Sequence, residues 1–539
     1  MIFPLPLLLA IQDPLAIRAD TLHPVHDALH YSISLVIPDS GAVIQGETET
    51  TWRITSPEPI RLQLDTALKV SRAAWAGERR LVRGEWRRQG EIIEFPHARA
   101  QGDTVTTRVA YQGHVRDGLI IGRNPYGART AFADNWPDRA HHWFPAQDHP
   151  SDKATATFDV EVPRGWRVIA NGTLERADTL RSGRSRWRYR LRQPVPVYNM
   201  VIGAGPLTVT RVPDRNCAAR CAPVTVWSYP EDSAYAVTGP FRRAGEILQY
   251  FATLVGPFPY PSLAHVESST IFGGAENAGA IFYGDRLYRD RRLSEQVVAH
   301  ETAHQWFGDA VTESDWHHLW LSEGFATYFA ALWRGHIAGD SALRRTMAEA
   351  AASVFEVRDT SGPRPNPVTD RPILDSAATD LMGLLNTNNY PRGAWVLHQL
   401  RGLVGDSAFF RGIRAYYARY RDGNALSSDF AAAMSAAAGR DLGWYFAQAL
   451  RQPGYPVLDV RWSYGTGGLQ IVIRQVQKAE WGLYTMPSLE LVVDGRREQA
   501  DVSGRETRLF LPAYAHPPAS IEVDPHHWWL MKATVARAP

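Results

Sequence analysis

The sequence has only two cysteines in 539 residues, Cys217 and Cys221. As metal ligands they would need two more partners close by, and no such cluster surrounds them. A disulfide between them would close a small loop and fit an oxidising compartment; otherwise they are idle thiols. Charge of one sign is also missing. The 58 Lys and Arg nearly balance the 56 Asp and Glu, and a net charge of +2 gives no pull toward nucleic acid or an anionic membrane. The densest basic run, Arg186, Arg188, Arg190 and Arg192, alternates with Trp187, Tyr189 and Leu191. That is the period of a half-buried strand with a charged outer face, not of a phosphate-binding patch. No apolar run approaches the ~20 residues that span a bilayer, so no transmembrane anchor is expected. The stretch Ile2 to Ile11 resembles the middle of a secretory signal, yet no Lys or Arg precedes it and no small-x-small site follows. Residues 1–21 are therefore set apart as a leader or signal remnant. The expected location is periplasmic or secreted, with cytoplasmic as the alternative.

What is present reads as an ordinary globular chain, too long for one core and long enough for three or four domains of ~150 residues. From His30 to about Leu207 the pattern is that of strands. Tyr31, Ile33, Leu35 and Ile37 alternate and stop at Pro38, and Ala154, Ala156, Phe158, Val160 and Val162 do the same before Pro163. Asn171-Gly172 is a tight-turn signal between two such runs. From about Ala234 to Leu450 helical patterns dominate, among them Phe241–Leu254, Ser294–Phe307, Leu321–Trp333, Gly393–Val404 and Ser428–Ala437. Gln452-Pro453-Gly454 breaks them. Strands then return, with Leu469, Ile471 and Ile473 alternating and Asp494-Gly495 as a hairpin turn. The expected fold is α+β and multidomain: an N-terminal antiparallel β domain over 22–207, a mainly helical domain over 208–452, and a small C-terminal β-sandwich over 453–539.

The chemistry concentrates in Val298-Ala-His300-Glu301-Thr-Ala-His304. On a helix, His300 and His304 sit one turn apart on one face, so both imidazoles can grip a single ion. Ser294 is a fair N-cap and Gly308 a fair terminator for a helix from about 295 to 307. Glu301, beside the first histidine, is placed to take a proton from an attacking water. Residue frequencies give such a motif only about 0.03 chance occurrences in a chain of this length. A third ligand is needed from a neighbouring element, and Glu323 is the choice. Leu321, Phe325, Tyr328, Phe329 and Leu332 form an apolar helical stripe, which allows an antiparallel return toward the histidines. His317 and His318 compete for the role, but their place between Trp316 and Trp320 favours packing or hydrogen bonding.

His300-Glu301-x-x-His304 followed by Glu323 after eighteen residues resembles the zinc aminopeptidase family, the M1 gluzincins that include aminopeptidase N and leukotriene hydrolase. The surrounding words match as well: His304-Gln-Trp-Phe-Gly-Asp309, and Trp316-x-x-x-Trp320-Leu-Ser-Glu323-Gly-Phe-Ala. Gly273-Gly274-Ala275-Glu276-Asn277 resembles the family's exopeptidase signature, Tyr390-Pro-Arg-Gly393-Ala its catalytic-tyrosine segment, and Phe144-Pro145-Ala-Gln-Asp148-His-Pro150 with Lys153 another landmark. The likeness runs in order over about residues 28–460.

The resemblance implies a thermolysin-like catalytic domain and one Zn2+ per chain held by His300, His304 and Glu323. It implies Glu301 as general base and then acid, and Tyr390 as hydrogen-bond donor to the oxyanion. Glu276 would pair with the α-ammonium of a peptide with a free N-terminus, while Gly273, Gly274 and Ala275 lay backbone along it. The expected enzyme is thus a metallo-aminopeptidase. The alternatives are a zinc hydrolase with another leaving group, acting on epoxides or as an endopeptidase, and a catalytically idle binding scaffold. The chain departs from the family pattern at four places. Ala275 stands where Met is frequent, Arg392 replaces a common Lys, and Ala330 replaces a Glu that supports the ligands. Near Asp134 and Asn135, where relatives contact the substrate amine, the alignment slips, and both remain candidates. The residues after 453 are expected to form one C-terminal β domain rather than the large helical domain of many relatives.

Overall fold

The structure is a computed structural model that describes residues 24–76, 86–212, 222–359 and 362–538. The expectations for residues 1–21 and for Cys217 and Cys221 lie outside the described residues.

The N-terminal region is built on a seven-stranded sheet with smaller three- and four-stranded sheets against it. Strand Asp27–Val36 buries Tyr31, Ile33 and Leu35, and strand Lys153–Val162 buries Ala154, Ala156, Phe158, Val160 and Val162, as their alternation requires. These two strands pair in parallel, with His30 opposite Thr155. The sheet is otherwise antiparallel, as a mostly antiparallel domain requires. A parallel pair needs a long crossover, and more than a hundred intervening residues provide it. The arginine run lies on strand Ser185–Pro196 with Tyr189 and Leu191 buried and the four arginines exposed. Arg186 and Arg188 pair with Asp159 and Glu161 or Glu175 across the sheet face. The turn at Asn171-Gly172 exists, but the strands it joins belong to different sheets. Asn171 is fully buried and its amide donates to the carbonyls of Asn199 and Ala278, so the turn links this region to the next one.

The central region is not purely helical. A five-stranded mixed sheet packs with the helices, in the order Thr208–Arg211, Val224–Ser228, Leu263–Ser268, Ala280–Gly284, Gly274–Ala275. Leu263–Ser268 and Ala280–Gly284 are buried at every residue, so neither carries the alternation that marks a strand in sequence. The short strand Gly274–Ala275 pairs antiparallel with Ala280–Gly284 at the sheet edge. Helices Ala244–Val255, Glu295–His304, Trp320–Ala338, Gly393–Tyr420 and Ser427–Ala438 then pack around one core. Trp320–Ala338 is buried on nearly every face over its first fourteen residues, the mark of a helix at the centre of a domain. Gly393–Tyr420 runs well past the expected Val404 and breaks at Gly405, whose φ of 76° suits glycine.

In the C-terminal region a four-stranded and a three-stranded sheet share a core of Leu458, Val460, Leu469, Ile471, Ile473, Leu489, Leu491 and Val493. Met486–Val493 and Arg496–Val502 form the hairpin expected at Asp494-Gly495. Both turn residues have positive φ, 47° and 81°, as the favoured two-residue hairpin turn demands. Among the described residues no helix is long and apolar enough to cross a membrane.

Candidate metal centre and active site

Helix Glu295–His304 begins where Ser294 accepts a hydrogen bond from the Val297 amide, the cap expected from the sequence. It ends at His304, three residues earlier than expected, and Gly308 beyond it has φ 118°. The tightened exit lets the Phe307 carbonyl and the Ser322 hydroxyl meet His304 Nδ1 at 3.1 and 3.0 Å. That leaves Nε2 turned toward His300. Ala330 offers no carboxylate, and these two oxygens supply the orienting contacts to His304.

Helix Trp320–Ala338 returns against helix Glu295–His304 and brings Glu323 to the histidine pair. His300 Nε2 and His304 Nε2 are 3.1 Å apart, and Glu323 Oε2 lies 3.1 Å from the first and 3.3 Å from the second. Donors ~2.0–2.1 Å from a tetrahedral zinc sit about 3.3–3.4 Å from each other, so these separations fit one such ion. Among the described residues this is the one group of three His, Cys, Asp or Glu close enough to share a metal. His317 and His318 are elsewhere. His317 bonds Asp315 and the Ala378 carbonyl, and His318 meets the Ser427 hydroxyl at 2.8 Å.

Glu301 is buried, 6% exposed. Burial pushes it well above the ordinary carboxylate range; His304 opposes the rise, and the carboxylates of Glu276 and Glu323 add to it. Burial also acts to raise Glu323, but the charges and hydrogen bonds of His304 and His300 hold it well below the usual range. Tyr390 sits in a single wide helical turn, Asn388–Arg392, the kind of bulge that recurs at functional sites. Its hydroxyl donates to Glu323 Oε1 at 2.7 Å, and its ring lies parallel to that of His300. Burial, then the Glu323 carboxylate, keep the phenol well above its ordinary value, so it stays a donor.

A cleft opens beside these groups, lined by Trp136, Phe272, Gly274, Ala275, Glu276, Glu323, Leu385 and Tyr390. The edge strand Gly274–Ala275 forms one wall. Gln305, not singled out in the sequence, fixes that wall: its amide donates to the Glu276 carbonyl at 2.6 Å and accepts from the Gly279 amide at 2.7 Å. The adjacency of Gln305 to His304 was the available signal, since the residue after the second ligand must leave the helix toward the sheet. Asp134 and Asn135 do not line the cleft. Asp134 pairs with Arg139 and accepts from Thr270, while Asn135 bonds the Val197 and Met200 carbonyls and the Trp143 indole. Their neighbour Trp136 reaches the cleft instead. Lys153 donates to the carbonyls of Asp309 and Ala310, joining the first sheet to the loop that leaves the histidine helix.

Residues 241–448 match the Peptidase family M1 domain. The chain is 29% identical over 408 residues to aminopeptidase N of Streptomyces lividans, covering 69% of this chain and 46% of that protein. It is 28% identical over 343 residues to human glutamyl aminopeptidase, covering 61% and 34%. The chain thus spans less than half the length of these curated relatives. Its fold superposes on the M1 zinc metallopeptidase of Deinococcus radiodurans with a TM-score of 0.67 and 27% identity, covering 80% of this chain and 95% of that one. A mutant of that protein has been crystallised bound to a Tyr-Ser-Ala substrate, and it matches with 26% identity and the same TM-score. With the ligand triad spaced for zinc, residues 241–448 match the M1 peptidase domain, and the chain resembles M1 zinc metallopeptidases in sequence and in fold.

Proposed function

We propose that the chain is a zinc aminopeptidase that removes the first residue from peptides with a free N-terminus. The observation that carries this reading is the cleft in which Glu276, Tyr390 and the ligand Glu323 face one space. When bound by His300, His304 and Glu323, zinc supplies Lewis-acid polarisation of the scissile carbonyl and activation of a water.

The protein's own groups do the rest. Glu301 takes the proton of the attacking water and hands it to the departing amine. Tyr390 donates a hydrogen bond to the carbonyl oxygen as it gains charge. Glu276 pairs with the substrate's α-ammonium, which fixes the cut one residue in. Gly273, Gly274 and Ala275 offer backbone to an extended substrate in the manner of an added strand, and Gly274–Ala275 is already an edge strand. We read residues 22–207 as a β domain, 208–452 as a thermolysin-like catalytic domain, and 453–539 as a small β-sandwich that buttresses it.

A panel of aminoacyl fluorogenic amides, each paired with its N-acetylated form, tests the reading. Free amines are expected to be cleaved, acetylated ones to be lost to background, and a chelator to abolish turnover until zinc is returned. Brisk cleavage of acetylated substrates would assign the site to an endopeptidase, and indifference to chelation would remove the metal from the chemistry. In the same assay Tyr390→Phe is expected to lower kcat by about 10²–10³ with a much smaller change in KM, because its bond strengthens in the transition state. A raised KM at unchanged kcat would make Tyr390 a binding residue only.

A further inference from the structure

A second cavity lies about the turn Asn388–Arg392, away from the cleft, where the helices meet the C-terminal strands. It is lined by Arg392, Val396, Gln399, Tyr445, Tyr455, Tyr484 and their neighbours, with a volume of about 30 Å³. Arg392 is 4% exposed. Its guanidinium donates to the carbonyls of Arg371 and Gln452 and to the Asn388 side-chain oxygen, at 3.0, 2.6 and 3.2 Å. All three acceptors are neutral. Among the described residues no carboxylate pairs with it: the nearby Asp370 is held by Lys478 and Asp375 by Arg371. A buried charge without a counter-charge is costly, and burial pulls this group below its ordinary value.

The rest of the lining narrows the occupant. It includes no Asp or Glu. The hydroxyls of Tyr445 and Tyr484 donate elsewhere, to the Val396 and Pro453 carbonyls, and both ends of the Gln448 amide are taken by Thr485. The half-buried Gln399 amide makes no hydrogen bond among the described residues, leaving its N–H groups available beside Arg392. Arg392 and Gln399 thus line a space with room for about two water-sized particles.

We propose that this cavity binds one small monovalent anion, of chloride size, as the counter-ion of Arg392. The anion would tie the turn that carries Tyr390 to the C-terminal strands through Arg392 and the lining residues of both.

The test uses the zinc-loaded full chain. Crystals soaked in bromide are expected to show an anomalous peak within hydrogen-bonding reach of the Arg392 guanidinium. In solution, Tm should rise saturably with sodium chloride but not with sodium gluconate at equal ionic strength. Arg392 variants could fail to fold, so the control is Ala449→Leu, which fills the cavity from another wall. That variant should lose both the bromide peak and the chloride-specific rise. Water in place of bromide at Arg392, equal responses to the two salts, or a chloride response retained in Ala449→Leu would each overturn the proposal.

Discussion

Glu301→Gln is expected to lower kcat by about three orders of magnitude or more while the protein keeps its zinc. The substitution preserves shape and removes one property, the capacity to accept and return a proton. General acid–base groups contribute ~10²–10⁴ in rate, and a thousandfold loss corresponds to about 4 kcal/mol of barrier. The upper part of that range applies because this carboxyl serves both halves of the reaction and sits where burial and two neighbouring carboxylates raise its proton affinity. Glu301 is not in the ligand group, so metal content measured on the purified variant should match wild type. Steady-state kinetics and zinc analysis on one preparation check it. A variant with full zinc and near-normal turnover would sink the general-base assignment.

Much of the metal centre was legible because a helix turns positions four apart into neighbours. His300 and His304 needed only that periodicity and the Ser294 cap to be placed on one face. Glu323 was legible through the apolar stripe beside it, which allowed the helix to return against its partner, although His317 and His318 competed for the role. What the sequence did not disclose is geometry set by long-range packing. The strands Leu263–Ser268 and Ala280–Gly284 are buried on both faces, His265 and Glu267 of the first included, so neither shows the alternation of a half-exposed strand and both read as parts of a helical region. Asn171 reads as a turn residue, and it is one, but its buried amide also binds carbonyls 28 and 107 residues away. No local pattern encodes such a partner. Asp134 and Asn135 drew attention as polar residues near the expected amine contact, yet each is spent on internal bonds, and the apolar Trp136 lines the cleft. Chemistry-bearing residue types point to a region more reliably than to the side chain that ends up facing the ligand.

Gly274→Ala should cost little stability and at least a hundredfold in kcat. A Cβ at this position would stand 2.1 Å from Glu301 Oε1 and 2.3 Å from its Cδ, inside any real contact distance. The obstacle is the end of a flexible side chain rather than backbone, so the conflict is relieved by swinging the Glu301 carboxylate away, and the fold need not yield. That relief is what destroys the rate. A displacement of ~1 Å in a catalytic group costs about 10²-fold, and here the displaced group is the proposed proton carrier. The adjacent Gly273→Ala separates this from a general loss of backbone freedom. Its Cβ would meet only Leu287 Cδ1 at 3.7 Å, an ordinary contact, and a far smaller loss is expected there. Tm, zinc content and kcat measured on both variants decide the matter. If Gly274→Ala kept wild-type kcat, the Glu301 carboxylate would not be held against this strand during turnover, and its role as base from that position would fall.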